Sequence, residues 1–344
     1  MKKTVLAVAL TGAMLAMPLS VGAEEEIGSV GFSISTLNNP FFVSMADGAE
    51  AKAEELGVDL TIVDAGNDTA KQTSDIEDLI ASGIQVLIVN PEDSAAVAPV
   101  VSDAIEAGIK VIAVDRSVDG AEVDCYIGTD NVVAGETAGT YFADVLGDGA
   151  KIAILEGIPG ASSAIERNQG FLNAVEDRLD VVTSQTANYD RAEGLTVTEN
   201  ILQANPDIVG ILSANDEMAL GAIEAVEAAG LVPGEDVLIT GFDAGDDAIA
   251  AVEAGTMLFT VEQGTVEMGE TAVETALQMM QGEEVEATIP IDITLIDADY
   301  LANGGAEEAA EGETEATTEA AQEETEAAEG ETEAATEAAT EAAE

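Results

Sequence analysis

Polar side chains stand directly after several of the short apolar segments that the sequence predicts as β-strands. The residues in this position are Asn39, Asn90, Asp115, Arg116, Asn215 and Asp243. Carboxylates accept hydrogen bonds, guanidinium groups donate them, and amides do both. Such a mixed set suits a neutral molecule rich in hydroxyl groups, because each hydroxyl needs a donor and an acceptor. The alternative is that the Asn and Asp residues are ordinary helix caps at strand–helix junctions.

Arginine is scarce in this sequence, so its positions are informative. The chain contains only Arg116, Arg167, Arg178 and Arg191. Arg116 follows a predicted strand beside Asp115, and Arg167 lies early in a predicted helix. Each guanidinium could serve a ligand or form a structural salt bridge, and the sequence leaves both interpretations open.

Two adjacent aromatic residues follow the first predicted strand. Phe41 and Phe42 come after Asn39 and Pro40, in a chain with 7 Phe and no Trp. Aromatic faces can cover the apolar C–H faces of a sugar ring, and Gln263 adds another amide to the candidate set. The alternative is that both rings simply pack beneath the helix that follows.

These residues need a scaffold that brings strand ends together, and the sequence predicts one. Short β-branched segments alternate with longer segments of helical periodicity, which is typical of parallel sheets covered by helices. The predicted strands span residues 27–35, 60–63, 86–89, 111–114, 123–127, 152–155, 181–184, 208–212, 237–240 and 258–261. The predicted helices include 41–56, 69–81, 95–107, 164–175, 192–202 and 217–229. The fold class is therefore α/β, with two doubly wound parallel-sheet lobes.

Further strands near residues 289–296 follow both lobes, so the chain is expected to cross between them more than once. In open parallel sheets, ligands bind beyond the carboxyl ends of the strands. The candidate residues stand at those ends.

The two ends of the chain differ from the body. Residues 1–23 have a basic start, an apolar stretch and small residues at 21–23, which is typical of a secretory signal peptide. Residues 305–344 contain Glu, Ala, Thr, Gly and Gln without a basic residue, so we expect a disordered acidic tail. We therefore expect export to the periplasm or cell-envelope exterior.

Composition excludes several classes of function. Lys and Arg total 10 against 69 Asp and Glu, a formal net charge of -59, and this charge repels nucleic acids and anionic lipids. Histidine is absent and Cys125 is alone, so an intrachain disulfide is excluded and neither a metal nor a cofactor is expected. A hydrolase would lack a His base. Asp115 and Asp243 could form a glycosidase pair, but Arg116 is expected to keep Asp115 ionised.

The same motifs resemble the bacterial periplasmic sugar-binding proteins of the ribose-binding type, the substrate-binding components of sugar ABC transporters. The resemblance covers nearly all of residues 27–297. Its diagnostic stretches are 35–44 (STLNNPFFVS), 90–94 (NPEDS), 114–116, 166–171, 188–195 (NYDRAEGL), 215–222 (NDEMALGA) and 241–243.

The resemblance implies a set of ligand contacts in this chain. They are Asn39, Phe41, Phe42, Asn90, Asp115, Arg116, Arg167, Tyr189, Asn215, Asp243 and Gln263. The polar members would hold sugar hydroxyls and the ring oxygen, and Phe41, Phe42 and Tyr189 would sandwich the ring. The ribose receptors have Phe where Tyr189 stands, so a related pentose or hexose remains an alternative.

The resemblance also implies an architecture and partners. Three crossovers would form a hinge between an N-terminal lobe, residues 24–129 and 264–291, and a C-terminal lobe, residues 130–263 and 292–304. The expected function is to capture a monosaccharide by hinge closure and deliver it to an ABC-type permease. D-ribose is the favoured candidate. The expected protein is a monomer without catalysis, and a chemoreceptor is a further possible partner. A sugar-responsive repressor of the same fold is disfavoured, since a signal peptide stands in place of a DNA-binding domain.

Overall fold

The computed structural model describes residues 28–304, which form two six-stranded sheets with helices on their faces. The strands are β1 (Ser29–Ile34), β2 (Asp59–Asp64), β3 (Val86–Val89), β4 (Lys110–Val114), β5 (Cys125–Gly128), β6 (Lys151–Glu156), β7 (Asp180–Thr186), β8 (Gly210–Ser213), β9 (Leu238–Thr240), β10 (Phe259–Glu262), β11 (Thr288–Pro290) and β12 (Thr294–Asp297). The helices are α1 (Pro40–Leu56), α2 (Thr69–Ser82), α3 (Ala98–Glu106), α4 (Asn131–Leu146), α5 (Ser162–Val175), α6 (Arg191–Ala204), α7 (Asp216–Ala228), α8 (Asp246–Glu253), α9 (Thr265–Gln281) and α10 (Ala298–Ala302). The predicted signal peptide, 1–23, and the predicted tail, 305–344, lie outside the described residues.

The first sheet has the order β11-β5-β4-β3-β1-β2 and the second β12-β10-β9-β8-β6-β7. All pairs are parallel except β10 with β12, which is antiparallel. Each order places the first strand of its lobe inside the sheet, as in doubly wound folds. The predicted α/β fold class is confirmed; β12 overlaps the strands predicted near residues 289–296, but its antiparallel direction was not predicted.

We call the first sheet with α1, α2, α3 and α9 the first lobe, and the second sheet with the remaining helices the second lobe. Helices α1 and α9 cover one face of the first sheet, and α2 and α3 cover the other. The chain passes between the sheets three times, after β5, after β10 and after β11. Three short connections therefore join the lobes along one side.

The sequence explains the central strands directly. Strand β3 reads VLIV with every side chain buried, as expected for a parallel strand covered on both faces. Cys125 is buried at the start of β5 and packs in the core of the first lobe. Edge strand β2 exposes Asp59 and Thr61.

One predicted helix is shorter than its periodicity suggested. Helix α3 begins at Ala98 rather than residue 95, because Pro99 has no N–H and tolerates only the first turn of a helix. The preceding turn is held by Asp93, whose carboxylate accepts hydrogen bonds from Ala95 N and Ala96 N.

Helices α4 and α5 pack unusually close together because glycines face each other between them. A Cβ on Gly135 would lie 2.4 Å from Arg167 O, and one on Gly170 would lie 2.2 Å from Val132 O. This close approach brings Arg167 of α5 beside Asn131 of α4. No helix within residues 28–304 has both the length and the apolar character needed to cross a bilayer.

Candidate functional site

The carboxyl ends of strands from both sheets face one small cavity between the lobes. The residues that line it are Asn39, Phe41, Phe42, Asp115, Arg116, Ser163, Arg167, Tyr189, Asn215, Asp243 and Gln263. Every predicted site residue except Asn90 is in this set. The space between these side chains is about 20 Å³, enough for about one water molecule. The facing side chains are therefore nearly in contact across the closed cleft.

Asn90 lies behind the cavity and orients one of its carboxylates. Its Nδ2 donates to Asp115 Oδ2 at 3.0 Å and to Val114 O at 3.1 Å. Its Oδ1 accepts from Ser35 N at 3.3 Å. All of its amide atoms are thus engaged by the first lobe, and the structure places it next to Asp115 rather than among the lining residues.

Two Asn residues that line the cavity also cap helices. Asn39 Oδ1 accepts from Phe41 N at 2.9 Å, which caps α1. Asn215 Oδ1 accepts from Met218 N at 3.0 Å, which caps α7. A cap uses only the amide oxygen. Asn215 lines the cavity, and its Nδ2 is buried and has no hydrogen-bond partner among residues 28–304.

The four arginines divide into two classes. Arg178 pairs with Asp144 and Asp148 on the surface, and Arg191 with Glu217 and Asp247. Arg116 and Arg167, in contrast, are almost wholly buried at the cavity, with 1% and 3% of their surfaces exposed. The salt-bridge interpretation therefore holds for the first two arginines.

Arg167 is fixed mainly by neutral acceptors. Its Nε and one terminal nitrogen donate to Asn131 Oδ1 at 3.1 and 2.7 Å, and the other terminal nitrogen donates to Ala214 O at 2.6 Å. It also reaches Gln263 Oε1 at 3.2 Å, and its guanidinium lies 3.6 Å from the centre of the Phe242 ring. These contacts hold a buried positive charge at the cavity without neutralising it directly.

Arg116 connects the carboxylate side of the site to the aromatic side. It donates to Pro91 O at 2.9 Å and lies 3.5 Å from Asp115 Oδ2. Its guanidinium carbon is 5.0 Å from the Phe42 ring centre and 5.8 Å from that of Tyr189. The rings of Phe42 in the first lobe and Tyr189 in the second thus face the same cation, and Phe41 meets Phe42 edge-on at 5.1 Å.

Three lining residues adopt a backbone conformation that side chains usually avoid. Asp115, Tyr189 and Asp243 have φ values of 63°, 57° and 119°. Such conformations cost about 1–3 kcal/mol each and persist where the surrounding structure enforces them, often at functional sites. No sequence pattern used above indicates them.

Burial dominates the electrostatics of the two cavity carboxylates. Desolvation raises the pKa of Asp115, and the nearby charges of Arg116 and Arg167 only partly oppose this effect. Desolvation and then the neighbouring Asp216 raise the pKa of Asp243 well above its usual range. Arg116 favours the ionised form of Asp115, as expected, but burial outweighs this effect and raises the pKa of Asp115.

Ser163 is a lining residue that the sequence analysis missed. It is buried in the first turn of α5. Its side chain lowers the pKa of Tyr189, which burial raises, yet the Tyr189 hydroxyl is buried without a full hydrogen bond. The signal was available, since Ser163 follows β6 just as the other candidates follow their strands.

A larger cleft adjoins the cavity on its outer side. It measures about 700 Å³ and shares Asn39, Phe41 and Asp243 with the inner site. Its walls carry many carboxylates and it contains none of the arginines. The balanced set of donors, acceptors and rings is therefore confined to the small cavity.

Comparison with known proteins shows the family of this chain. The periplasmic binding protein domain matches residues 30–284. The chain belongs to this family. It is 45% identical over 280 residues to the ribose import binding protein RbsB of Bacillus subtilis, covering 81% of this chain and 90% of that protein.

Two solved structures show the same architecture. The Caulobacter myo-inositol binding protein, bound to myo-inositol, has a TM-score of 0.78 at 36% identity and covers 82% of this chain and 97% of its own. A periplasmic solute binding protein of an ABC transporter from Actinobacillus succinogenes, with bound D-allose, has a TM-score of 0.74 at 35% identity and covers 80% and 99%. The chain is thus a solute-binding transport component of the ribose-binding type.

Proposed function

We propose that this chain captures D-ribose between its lobes and delivers it to an ABC-type permease. The relative with 45% identity is a ribose import binding protein. The observation that carries the proposal is the convergence of ten predicted contacts on one small cavity, where Asn215 Nδ2 is buried and has no hydrogen-bond partner in the described part of the chain. An unpaired buried polar group costs about 1–3 kcal/mol, and a sugar hydroxyl would relieve that cost.

Hinge closure follows from the size of the cavity. A space of about 20 Å³ admits a monosaccharide only if the lobes separate and the facing rings move apart. The three connections lie on one side of the lobes and permit such bending. We propose lobes of residues 24–129 with 264–291 and of 130–263 with 292–304, which is supported by β11 pairing with β5 and β12 with β10.

The proposed ligand contacts are the lining residues, with Asn90 acting through Asp115. Asp115 and Asp243 supply acceptors, Arg116 and Arg167 supply donors, and the amide nitrogens of Asn39, Asn215 and Gln263 supply further donors. Phe41, Phe42 and Tyr189 cover the ring faces. A hexose such as allose is the alternative, favoured by the Tyr189 hydroxyl, which could receive one more polar group of the ligand.

Calorimetric titration of the purified chain with ribose, allose, xylose, arabinose, galactose and myo-inositol tests the proposal. We expect the tightest binding for ribose. The absence of binding to all six would overturn the function. Tighter binding of allose would replace ribose by the alternative.

The proposal also covers export, oligomeric state and catalysis. We propose that residues 1–23 direct export, that the chain acts as a monomer and that it performs no catalysis. We propose that a chemoreceptor can bind the same closed form. Recovery of chemically unchanged sugar after long incubation with the chain is expected, and any turnover would contradict the non-enzymatic role.

A further inference from the structure

Asp216 lies behind the inner cavity, and none of its atoms lines it. It is the first residue of α7 and is 4% exposed. Its Oδ1 accepts from the Thr260 hydroxyl at 2.7 Å, and its Oδ2 accepts from Gly245 N at 2.9 Å. One oxygen of this buried carboxylate is therefore directed to strand β10 and the other to the loop after β9, instead of to the N–H groups of its own helix.

That loop carries Asp243 in a strained conformation. Asp243 and Ala244 have φ values of 119° and 54°, which are unfavourable for residues with a Cβ. Three consecutive N–H groups are held in place: Asp243 N donates to Val261 O at 2.8 Å, Ala244 N to Thr260 Oγ1 at 3.1 Å, and Gly245 N to Asp216. The Asp216–Thr260 pair thus accounts for two of the three contacts.

The backbone around the pair is also shaped to hold it. Asp216 N donates to Phe242 O at 2.8 Å, so Asp216 forms hydrogen bonds with the loop both before and after Asp243. A Cβ on Gly241 would lie 2.1 Å from Asp216 Oδ1, so the carboxylate fits only because residue 241 is glycine. Thr260 is fully buried in β10.

The held loop sets the direction of the Asp243 side chain. Asp243 Oδ1 accepts from Gln263 Nε2 at 2.7 Å, and both residues line the inner cavity. If the loop relaxed to an ordinary conformation, the Cα–Cβ bond of Asp243 would turn and its carboxylate would leave the cavity wall.

We propose that Asp216 and Thr260 are positioning residues that hold the Asp243 carboxylate toward the bound sugar. The inference rests on the proposed function, because Asp243 must be a ligand contact. It adds two residues that touch no ligand and yet determine affinity. A purely structural pair would contribute to stability but would leave the affinity of the folded protein unchanged.

Substitutions at Thr260 separate these roles in the full chain. Thr260→Val removes the hydroxyl that donates to Asp216 and accepts from Ala244, whereas Thr260→Ser keeps it. Thr198→Val is the matched control, since Thr198 is buried in α6 and its hydroxyl has no hydrogen-bond partner within residues 28–304. Ribose Kd is measured by calorimetry, and thermal unfolding by circular dichroism.

We expect Thr260→Val to raise the ribose Kd at least tenfold at temperatures where the chain is folded. Thr260→Ser should stay within about threefold of wild type, and Thr198→Val within about twofold. Asp216→Asn, which loses one of two acceptors at unchanged size, should resemble Thr260→Val.

An unchanged Kd in folded Thr260→Val or Asp216→Asn would overturn the positioning role, even if the unfolding temperature falls. Failure of Asp216→Asn to fold leaves the Thr260 series to decide. If wild type binds no sugar of the panel, the proposed function and this inference both fail. If wild type binds a sugar and the folded variants bind it with the same Kd, the positioning inference fails and the proposed function stands.

Discussion

Three serines and one glycine form hydrogen bonds between the two lobes, which we call the interlobe clasp. Ser94 N donates to Gly160 O at 3.0 Å, Ser162 N donates to Ser94 Oγ at 3.1 Å, and Ser117 N donates to Ser162 Oγ at 2.8 Å. Ser94 and Ser117 belong to loops of the first lobe, and Gly160 and Ser162 to the second. We predict that this clasp contributes to sugar affinity without touching the sugar.

The double variant Ser94→Ala/Ser162→Ala removes two of the three hydrogen bonds. A net contribution of about 0.5–1.5 kcal/mol each gives about 1–3 kcal/mol in total. Because the partners lie on different lobes, the bonds exist only in the closed form, and the loss appears in the closing equilibrium. The ribose Kd should therefore rise by roughly 5- to 150-fold.

Calorimetry of ribose binding measures this change, and small-angle scattering with saturating ribose shows whether the variant still closes. Ser102→Ala is the matched control, because the Ser102 hydroxyl donates to Ala98 O within α3. Each single variant should lie between wild type and the double variant. A double variant within twofold of wild type, with closure intact, would refute the reasoning.

Three further predictions follow from the site. Arg167→Lys keeps the charge but loses the planar guanidinium that donates to Asn131. Calorimetry should show a ribose Kd roughly 100-fold higher, because about 3 kcal/mol is lost with the charged hydrogen bonds. A change under threefold would contradict the role of this guanidinium. Tyr189→Phe removes a buried hydroxyl that lacks a full hydrogen bond and could bind the additional polar group of a hexose. The ratio of the allose Kd to the ribose Kd should therefore rise roughly tenfold. An equal effect on both sugars would argue against a role of this hydroxyl in specificity. Burial raises the pKa of Asp216 to about 7, so its contribution to stability is present below pH 4 and is lost as the pH rises through about 7. Urea unfolding should therefore show a free energy of unfolding that falls from pH 5 to pH 8, less steeply in Asp216→Asn, and equal slopes would contradict the assignment.

Local sequence patterns determined most of the scaffold and the approximate site. The apolar run of β3 and the glycines that end α1 and α2 depend on short-range preferences, which a single sequence displays. The rule that ligands lie beyond strand ends then selected residues such as Asn39 and Asp115. Strand ends of a parallel sheet share one edge, so sequence order alone places these residues together.

Tertiary structure decided where each candidate side chain lies and what it contacts. Whether Asn90 lines the cavity or supports Asp115 depends on side-chain directions across neighbouring strands. The loop that carries Asp243 at a positive φ is contacted by Asp216 and Thr260, which lie 27 and 17 residues from Asp243 in the chain and meet only after folding.

The electrostatic balance was likewise a property of the folded chain. In the sequence, Arg116 beside Asp115 suggests an ionised pair. In the structure, both are removed from water, and desolvation raises the pKa of Asp115 despite the adjacent cation. The sequence by itself determined which groups are available at the site. Only the tertiary structure decided their burial, their direction and their partners, because these depend on residues brought together from both lobes.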